Sequence, residues 1–132
     1  MIFTKIVPRV SETDGVGHIN NVFVPIWFEA GRREIFRIFS PKLDFTNWSL
    51  ALVKVTVEYV DQLYLAEDVD VRTGIEKIGT SSFTIKEEIH QTSRVCAKGQ
   101  AIYVNYNFRK KKSEPISNEI RNRLDSIKFV EE

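Results

Sequence analysis

Thr13-Asp14-Gly15-Val16-Gly17-His18-Ile19-Asn20-Asn21, running straight into an aromatic-rich segment over residues 22–39, is the stretch on which the reading of this fold turns. Its glycines and small polar residues predict a loop, which we place over residues 11–20. Beyond it, Val22, Phe23, Ile26, Trp27, Ala30, Ile35, Ile38 and Phe39 recur at helical spacings and predict one long helix. Asn20 or Asn21 can cap that helix, because an Asn side chain accepts from the unpaired amides of a first turn. Pro25 falls in or near that turn, where a missing N–H costs little. Ser40-Pro41 ends the helix, since the residue before a proline is pushed out of helical geometry. The aromatic side chains of Trp27, Phe28, Phe36 and Phe39 predict a helix that is largely enclosed.

Outward from this segment the periodicity changes. Residues 2–10 read as a first strand. After Trp48, Ala51, Val53, Val55, Val57 and Tyr59 alternate with Leu52, Lys54, Thr56 and Glu58. Val69, Val71, Thr73 and Ile75 alternate with Asp70, Arg72 and Gly74. Phe83, Ile85 and Ile89 share a face on which Glu87 is the exception, opposite Thr84, Lys86, Glu88 and His90. In the run over residues 95–108, Ile102, Val104, Tyr106 and Phe108 fall on one side. Each pattern predicts a strand with one buried face. Gly79-Thr80 predicts a tight turn that joins the second and third of these strands in an antiparallel hairpin. Near the end, Pro115 and Ser117 precede Ile120, Leu124 and Ile127, an i, i+4, i+7 stripe on a short helix. Strand, long helix, four strands and short helix make an α+β layout in a single domain over residues 1–132.

Composition narrows the partners. The 132 residues suffice for one hydrophobic core. Lys and Arg total 19 against 18 for Asp and Glu, whereas a protein that coats nucleic acid is usually more basic. Cys96 is the single cysteine, so no intrachain disulfide can form, which suits a reducing compartment. Residues 1–10 have no long apolar core of the signal-peptide kind, and no run approaches the roughly 20 apolar residues of a membrane helix. The expectation is a soluble, cytoplasmic protein. The two histidines are far apart with no Cys or His at ligand spacing, so no metal site is expected. No phosphate-binding glycine loop is present either.

The chemistry lies where the loop meets the helix. Asp14 is a carboxylate in a glycine-containing loop, next to a helix start with unpaired N–H groups and the positive end of a dipole. A base or nucleophile beside an oxyanion-stabilising site is what acyl transfer requires, although an Asx-type turn would use the same residues. Asp14-x-x-Gly17-His18-Ile19-Asn20-Asn21, followed by Trp27-Phe28-Glu29 and Arg32, resembles the hotdog-fold thioesterases. The resemblance is to the group holding 4-hydroxybenzoyl-CoA, acyl-CoA and acyl-ACP thioesterases, whose pattern is Asp-x-x-Gly-His-Val-Asn-Asn, an aromatic-acidic pair, then Arg. Thr80-Ser81-Ser82-Phe83 and the stretch from Pro115 to Arg121 are further points of likeness. The resemblance implies an antiparallel sheet wrapped around a long central helix, a homodimer or homotetramer, and hydrolysis of an acyl-CoA or acyl-carrier-protein thioester. It implies no cofactor beyond the coenzyme A of the substrate.

Carried onto this sequence, Asp14 attacks the thioester carbonyl or activates water, and the Asn21 backbone N–H polarises that carbonyl. His18 is either a general base or a supporting hydrogen-bond and packing residue. Gly17, Asn20, Trp27, Glu29, Tyr59, Ser81 and Ser82 are candidates to meet the substrate. For Asn20 a capping role competes; for Glu29, an ion pair with Arg32 or Arg33; for the serines, an ordinary strand start. Lys77, Arg109 and Lys110 are candidates for the coenzyme A phosphates, with a solvated strand end as the plain alternative. Cys96 reads as a buried apolar group. Three other classes compete. A hotdog hydratase would need a different Asp/His arrangement, not found here. A non-catalytic acyl-binding hotdog would bind without turnover. A nucleic-acid-binding domain would use Arg109 to Lys112 with Tyr103 and Tyr106, against the near-neutral charge.

Overall fold

The structure, a computed structural model, describes residues 1–131. In chain order the elements are β1 (Ile2–Ile6), α1 (Phe23–Gly31), α2 (Arg33–Phe39), β2 (Leu50–Tyr59), β3 (Val69–Ile78), β4 (Ser82–Gln91), β5 (Arg94–Asn107), β6 (Lys112–Ser113) and α3 (Asn118–Asp125). The strands form one sheet in the order β1-β3-β4-β5-β2, every pair antiparallel, with the short β6 on β5. The α+β class and the hairpin at Gly79 hold: the Gly79 N–H donates to the Ser82 carbonyl at 2.7 Å. The C-terminal helix holds as well, with the Ser117 side chain capping it by accepting from the Ile120 N–H. The first strand is shorter than its pattern, since pairing stops at Ile6 and Val10–Glu12 forms a 3-10 turn.

The long helix is a correction: the segment is two helices, of nine and seven residues, broken at Arg32. The apolar period runs through the break because both helices lay their apolar sides on the same sheet. At the break the Arg32 N–H donates to the Glu29 carbonyl, a tightened last turn. The Arg32 side chain, 2% exposed, reaches instead across to the sheet. Its Nε donates to Glu87 at 3.0 Å and another guanidinium nitrogen to the Tyr103 hydroxyl at 3.1 Å. Thus Glu87, the charged exception on the buried face of β4, is the partner of Arg32. The expected pairing of Glu29 with Arg32 or Arg33 does not form; Glu29 is exposed. Burial disfavours the Arg32 charge, but the Glu87 carboxylate and the Tyr103 hydroxyl hold its pKa above the ordinary value.

Two clusters make the core. One gathers Val24, Trp27 and Phe28 of α1 over Val69, Val71, Ile89 and Ala97. The other gathers Ile35 and Leu124 over Ile75, Phe83, Ile85, Ala101 and Tyr103. β3 and β4 bury the faces their alternation predicts. β5 is a second correction, because its core face carries Ala97, Gly99, Ala101 and Tyr103 rather than the side with Ile102 and Val104. Small residues are needed there: a Cβ on Gly99 would stand 2.9 Å from Cε2 of Phe28. β2 is a third correction. It pairs only with β5, and Leu52, Val53, Val55 and Tyr59 are exposed, so no face of it is buried along its length.

Candidate active site

The Asp14 loop is a small hairpin closed by backbone bonds. The Asn20 N–H donates to the Glu12 carbonyl and the Asp14 N–H to the His18 carbonyl, both at 2.9 Å. At the tip, Gly15 and Gly17 have φ of +89° and +98°, which disfavour any residue with a Cβ. One Asp14 carboxylate oxygen accepts from the Val16 N–H at 2.9 Å in an Asx turn. The other lies 4.0 Å from Nδ1 of His18, too long for a direct hydrogen bond. The His18 ring stands edge-on to Tyr64, centroids 5.2 Å apart. The outer limb of the hairpin is tied down by the Ile19 N–H on the Leu63 carbonyl at 2.8 Å.

Where the hairpin enters α1, the Asn20 side chain accepts from the Val22 N–H at 3.1 Å and its carbonyl from the Phe23 N–H at 3.0 Å. This is an Asx turn ahead of α1, whose N-cap position is Val22 without a side-chain cap, so the expected capping by Asn20 or Asn21 does not form. Among the described residues none accepts from the Asn21 N–H, which lies in the turn two residues ahead of α1. The Asn21 carbonyl accepts from the Tyr59 hydroxyl at 3.2 Å, so the end of β2 touches the same turn. Asp14, Gly17, His18, Asn20, Asn21 and Tyr59 thus share one region. Trp27 lies below it, 2% exposed.

The remaining candidates lie elsewhere in the chain. Ser81 and Ser82 stand at the start of β4, whose other end, Gln91, bonds Tyr64 beside the hairpin. At about 3.3 Å per residue, that separates them from Asp14's end of the sheet by about 30 Å. Lys77 is at the same far end of β3, exposed. Arg109 and Lys110 lie in the β5–β6 turn, their amides donating to Oδ1 of Asn107. Beside that turn is a cavity of about 840 Å³, lined by Phe45, Trp48, Tyr106, Phe108 and Arg109 among others.

Two site residues escaped the sequence reading. Tyr64, beside His18, carries no local signal. Glu12 falls within the stretch read simply as a loop, yet it is buried, and its carboxylate accepts from the Trp27 indole N–H at 2.9 Å and from Arg9. Burial alone would raise the Glu12 pKa, but the Arg9 and Trp27 hydrogen bonds outweigh it and hold the carboxyl below its ordinary value. Cys96 is buried and its thiol pushed up by that burial, the reverse of an activated nucleophile. Among the described residues no three His, Cys, Asp or Glu side chains cluster as metal ligands, and no helix is long and apolar enough to cross a membrane.

An antiparallel sheet with α1 and α2 on its inner face fits the hotdog thioesterase fold. The chain belongs to the thioesterase-like superfamily, whose model matches residues 8–124. A structure described as a predicted thioesterase from Bacillus stearothermophilus is 53% identical, with a TM-score of 0.94, over 99% of this chain and 98% of that one. A Thermus thermophilus thioesterase complexed with coenzyme A and Zn shares the fold at 22% identity and a TM-score of 0.82, over 93% and 96% of the two chains. A Synechocystis 1,4-dihydroxy-2-naphthoyl-CoA thioesterase shares it at 16% identity and a TM-score of 0.80, over 94% and 95%. The uncharacterized protein YsmA of Bacillus subtilis is 29% identical over 83 residues, which span 63% of this chain and 56% of YsmA.

Proposed function

We propose that this protein is an acyl thioesterase that hydrolyses an acyl-CoA or acyl-carrier-protein thioester to a carboxylic acid and a thiol. The observation that carries the reading is a half-exposed Asp14 carboxylate on a closed hairpin whose exit leads, through the unpaired Asn21 N–H, into α1. Asp14 either adds to the carbonyl carbon, expelling the thiolate and leaving an acyl anhydride that water cleaves, or takes a proton from the water that adds. In both routes the carbonyl oxygen gains negative charge, which the Asn21 amide and the positive end of α1 stabilise. Neither route calls on a metal or redox cofactor. His18, with Tyr64 at its edge, orients the loop or shuttles a proton. Tyr59 supports the Asn21 turn, and Gly17 and Asn20 shape the surface that meets the thioester.

The working unit is an assembly of copies, at least a dimer. Within one protomer the Asp14 region is open surface: Val16 is 76% exposed and Val22 61%. β2 has a free edge with apolar side chains on it, a surface that calls for a partner strand. Two-fold antiparallel pairing of β2 with its own copy is self-complementary. It would bring the Tyr59 end of one β2 to the Leu50 end of the other. The Asp14 hairpin of one protomer would then face the partner copy's cavity beside Phe45, Trp48 and Tyr106. That open groove would offer an acyl group the rings of Phe45, Trp48, Tyr106 and Phe108 between polar side chains such as Asn47, Asn107 and Glu114, and Arg109, Lys110 and, more distantly, Lys77 would meet the coenzyme A phosphates. Ser81 and Ser82 would approach the same composite site, and Glu29 would line its rim.

A panel of acyl-CoA substrates, from short aliphatic through long-chain to aromatic, tests the reading by following thiol release, with acyl-carrier-protein thioesters as a second panel. Turnover of some of the panel is expected, and the best substrate defines the pocket. Cleavage in neither panel would point to a hotdog that binds acyl groups without hydrolysing them.

A further inference from the structure

Glu12 has no place in the reaction itself, yet the geometry of the hairpin converges on it. Its backbone N–H donates to the Arg9 carbonyl, and its carbonyl accepts the Asn20 N–H, closing the hairpin's base. Its side chain is 3% exposed. One carboxylate oxygen takes the Arg9 N–H at 2.7 Å; the other takes the Arg9 guanidinium at 3.1 Å and the Trp27 indole N–H at 2.9 Å. Trp27 in turn is packed in the core one helical turn beyond Phe23. Glu12 therefore bonds both the limb that carries Asn20 and the helix that follows the Asn21 amide. Three donors meet a group that only accepts, so a carboxylate fits where a carboxamide cannot satisfy all three.

We infer that Glu12 is a positioning residue for acyl transfer, fixing the Asp14 hairpin against the start of α1 through Trp27 and the Asn20 amide. This rests on the thioesterase reading of the site. A catalytic carboxylate and an oxyanion donor on different elements work together only if their separation is held. A displacement of about 1 Å costs about 100-fold in rate. Among the described residues, the bond between Glu12 and Trp27 is the one side-chain hydrogen bond, buried at both ends, that joins the hairpin's base to the interior of α1.

The test compares wild type, Glu12→Gln, Trp27→Phe and the double variant in acyl-CoA hydrolysis, well below the lowest Tm of the four. In each single variant kcat should fall about 10- to 100-fold with KM within about 3-fold, since positioning acts on the transition state more than on binding. The double variant should be no slower than the slower single one, because both remove the same tie. Amide hydrogen exchange should quicken in residues 13–21 and hold steady in β3, β4 and β5. Unchanged kcat in Glu12→Gln, or losses that multiply in the double variant, would overturn the role. If wild type cleaves no thioester, the thioesterase reading fails separately, and exchange decides alone. Quickened exchange in residues 13–21 then upholds the positioning, and unchanged exchange overturns it.

Discussion

One Asp14 carboxylate oxygen accepts from the Val16 N–H, and an Asn in its place keeps that bond, since its side-chain oxygen also accepts. Structure and chemistry can therefore be separated at this residue by one substitution. Glu12 differs, because its charge itself is in use. Its folded pKa lies below the ordinary carboxylate value, so its contribution to stability is complete at neutral pH. That contribution is lost as pH falls through the ordinary carboxylate range toward the lowered folded value. The difference in urea midpoint between wild type and Glu12→Gln should accordingly shrink on acidification; a constant difference from neutral to acid pH would contradict this. The roles differ in legibility for a physical reason. Asp14 sits in a local pattern of glycines and asparagines that sequence displays. Glu12 is buried by Arg9 on one side and by Trp27, fifteen positions away, on the other, and no local pattern carries that second contact.

Among the elements, the break at Arg32 was invisible for a related reason. Periodicity reports which side of a helix is apolar, and a one-residue interruption that keeps both helices on the same sheet leaves it intact. Glu87 was the visible clue, a charge on an apolar face, but its partner is 55 positions away. The pair makes a sharp prediction. Glu87→Leu leaves the Arg32 guanidinium buried without its carboxylate and should cost about 3–5 kcal/mol in urea unfolding. Adding Arg32→Met should recover most of that loss, and a double variant as unstable as Glu87→Leu would count against the pair as the cause. Gly31, one residue before the break, tests how tightly α1 meets β3. Helix propensity favours Ala over Gly by about 1 kcal/mol. A Cβ at Gly31 would, however, stand 2.5 Å from Thr73 Oγ1 and 2.8 Å from Val71 Cγ1, both on buried side chains. Overpacking of that kind costs about 1–3 kcal/mol, so Gly31→Ala should lower the urea midpoint. A raised midpoint would mean that β3 yields.

At the scale of the whole molecule, β2 is where sequence and structure part. The strand alternation foretold the sheet and the hairpin, but β2 was read as burying a face, because its apolar alternation is real although nothing among the described residues covers it. Its pattern fits a strand whose packing comes from a second copy. Wild type should sediment as a dimer or larger, and Val53→Lys with Val55→Lys should give a monomer with much reduced turnover, because like charges on an edge oppose pairing. A fully active monomer would rule the composite site out. The most direct test of the central claim is steady-state thiol release from the best acyl-CoA by wild type and Asp14→Asn, matched for fold and assembly. The account predicts a fall in kcat/KM of at least about 100-fold, the scale set by losing a positioned acid–base group or nucleophile. Equal activity in the two proteins would remove Asp14 from the reaction and the proposed mechanism with it.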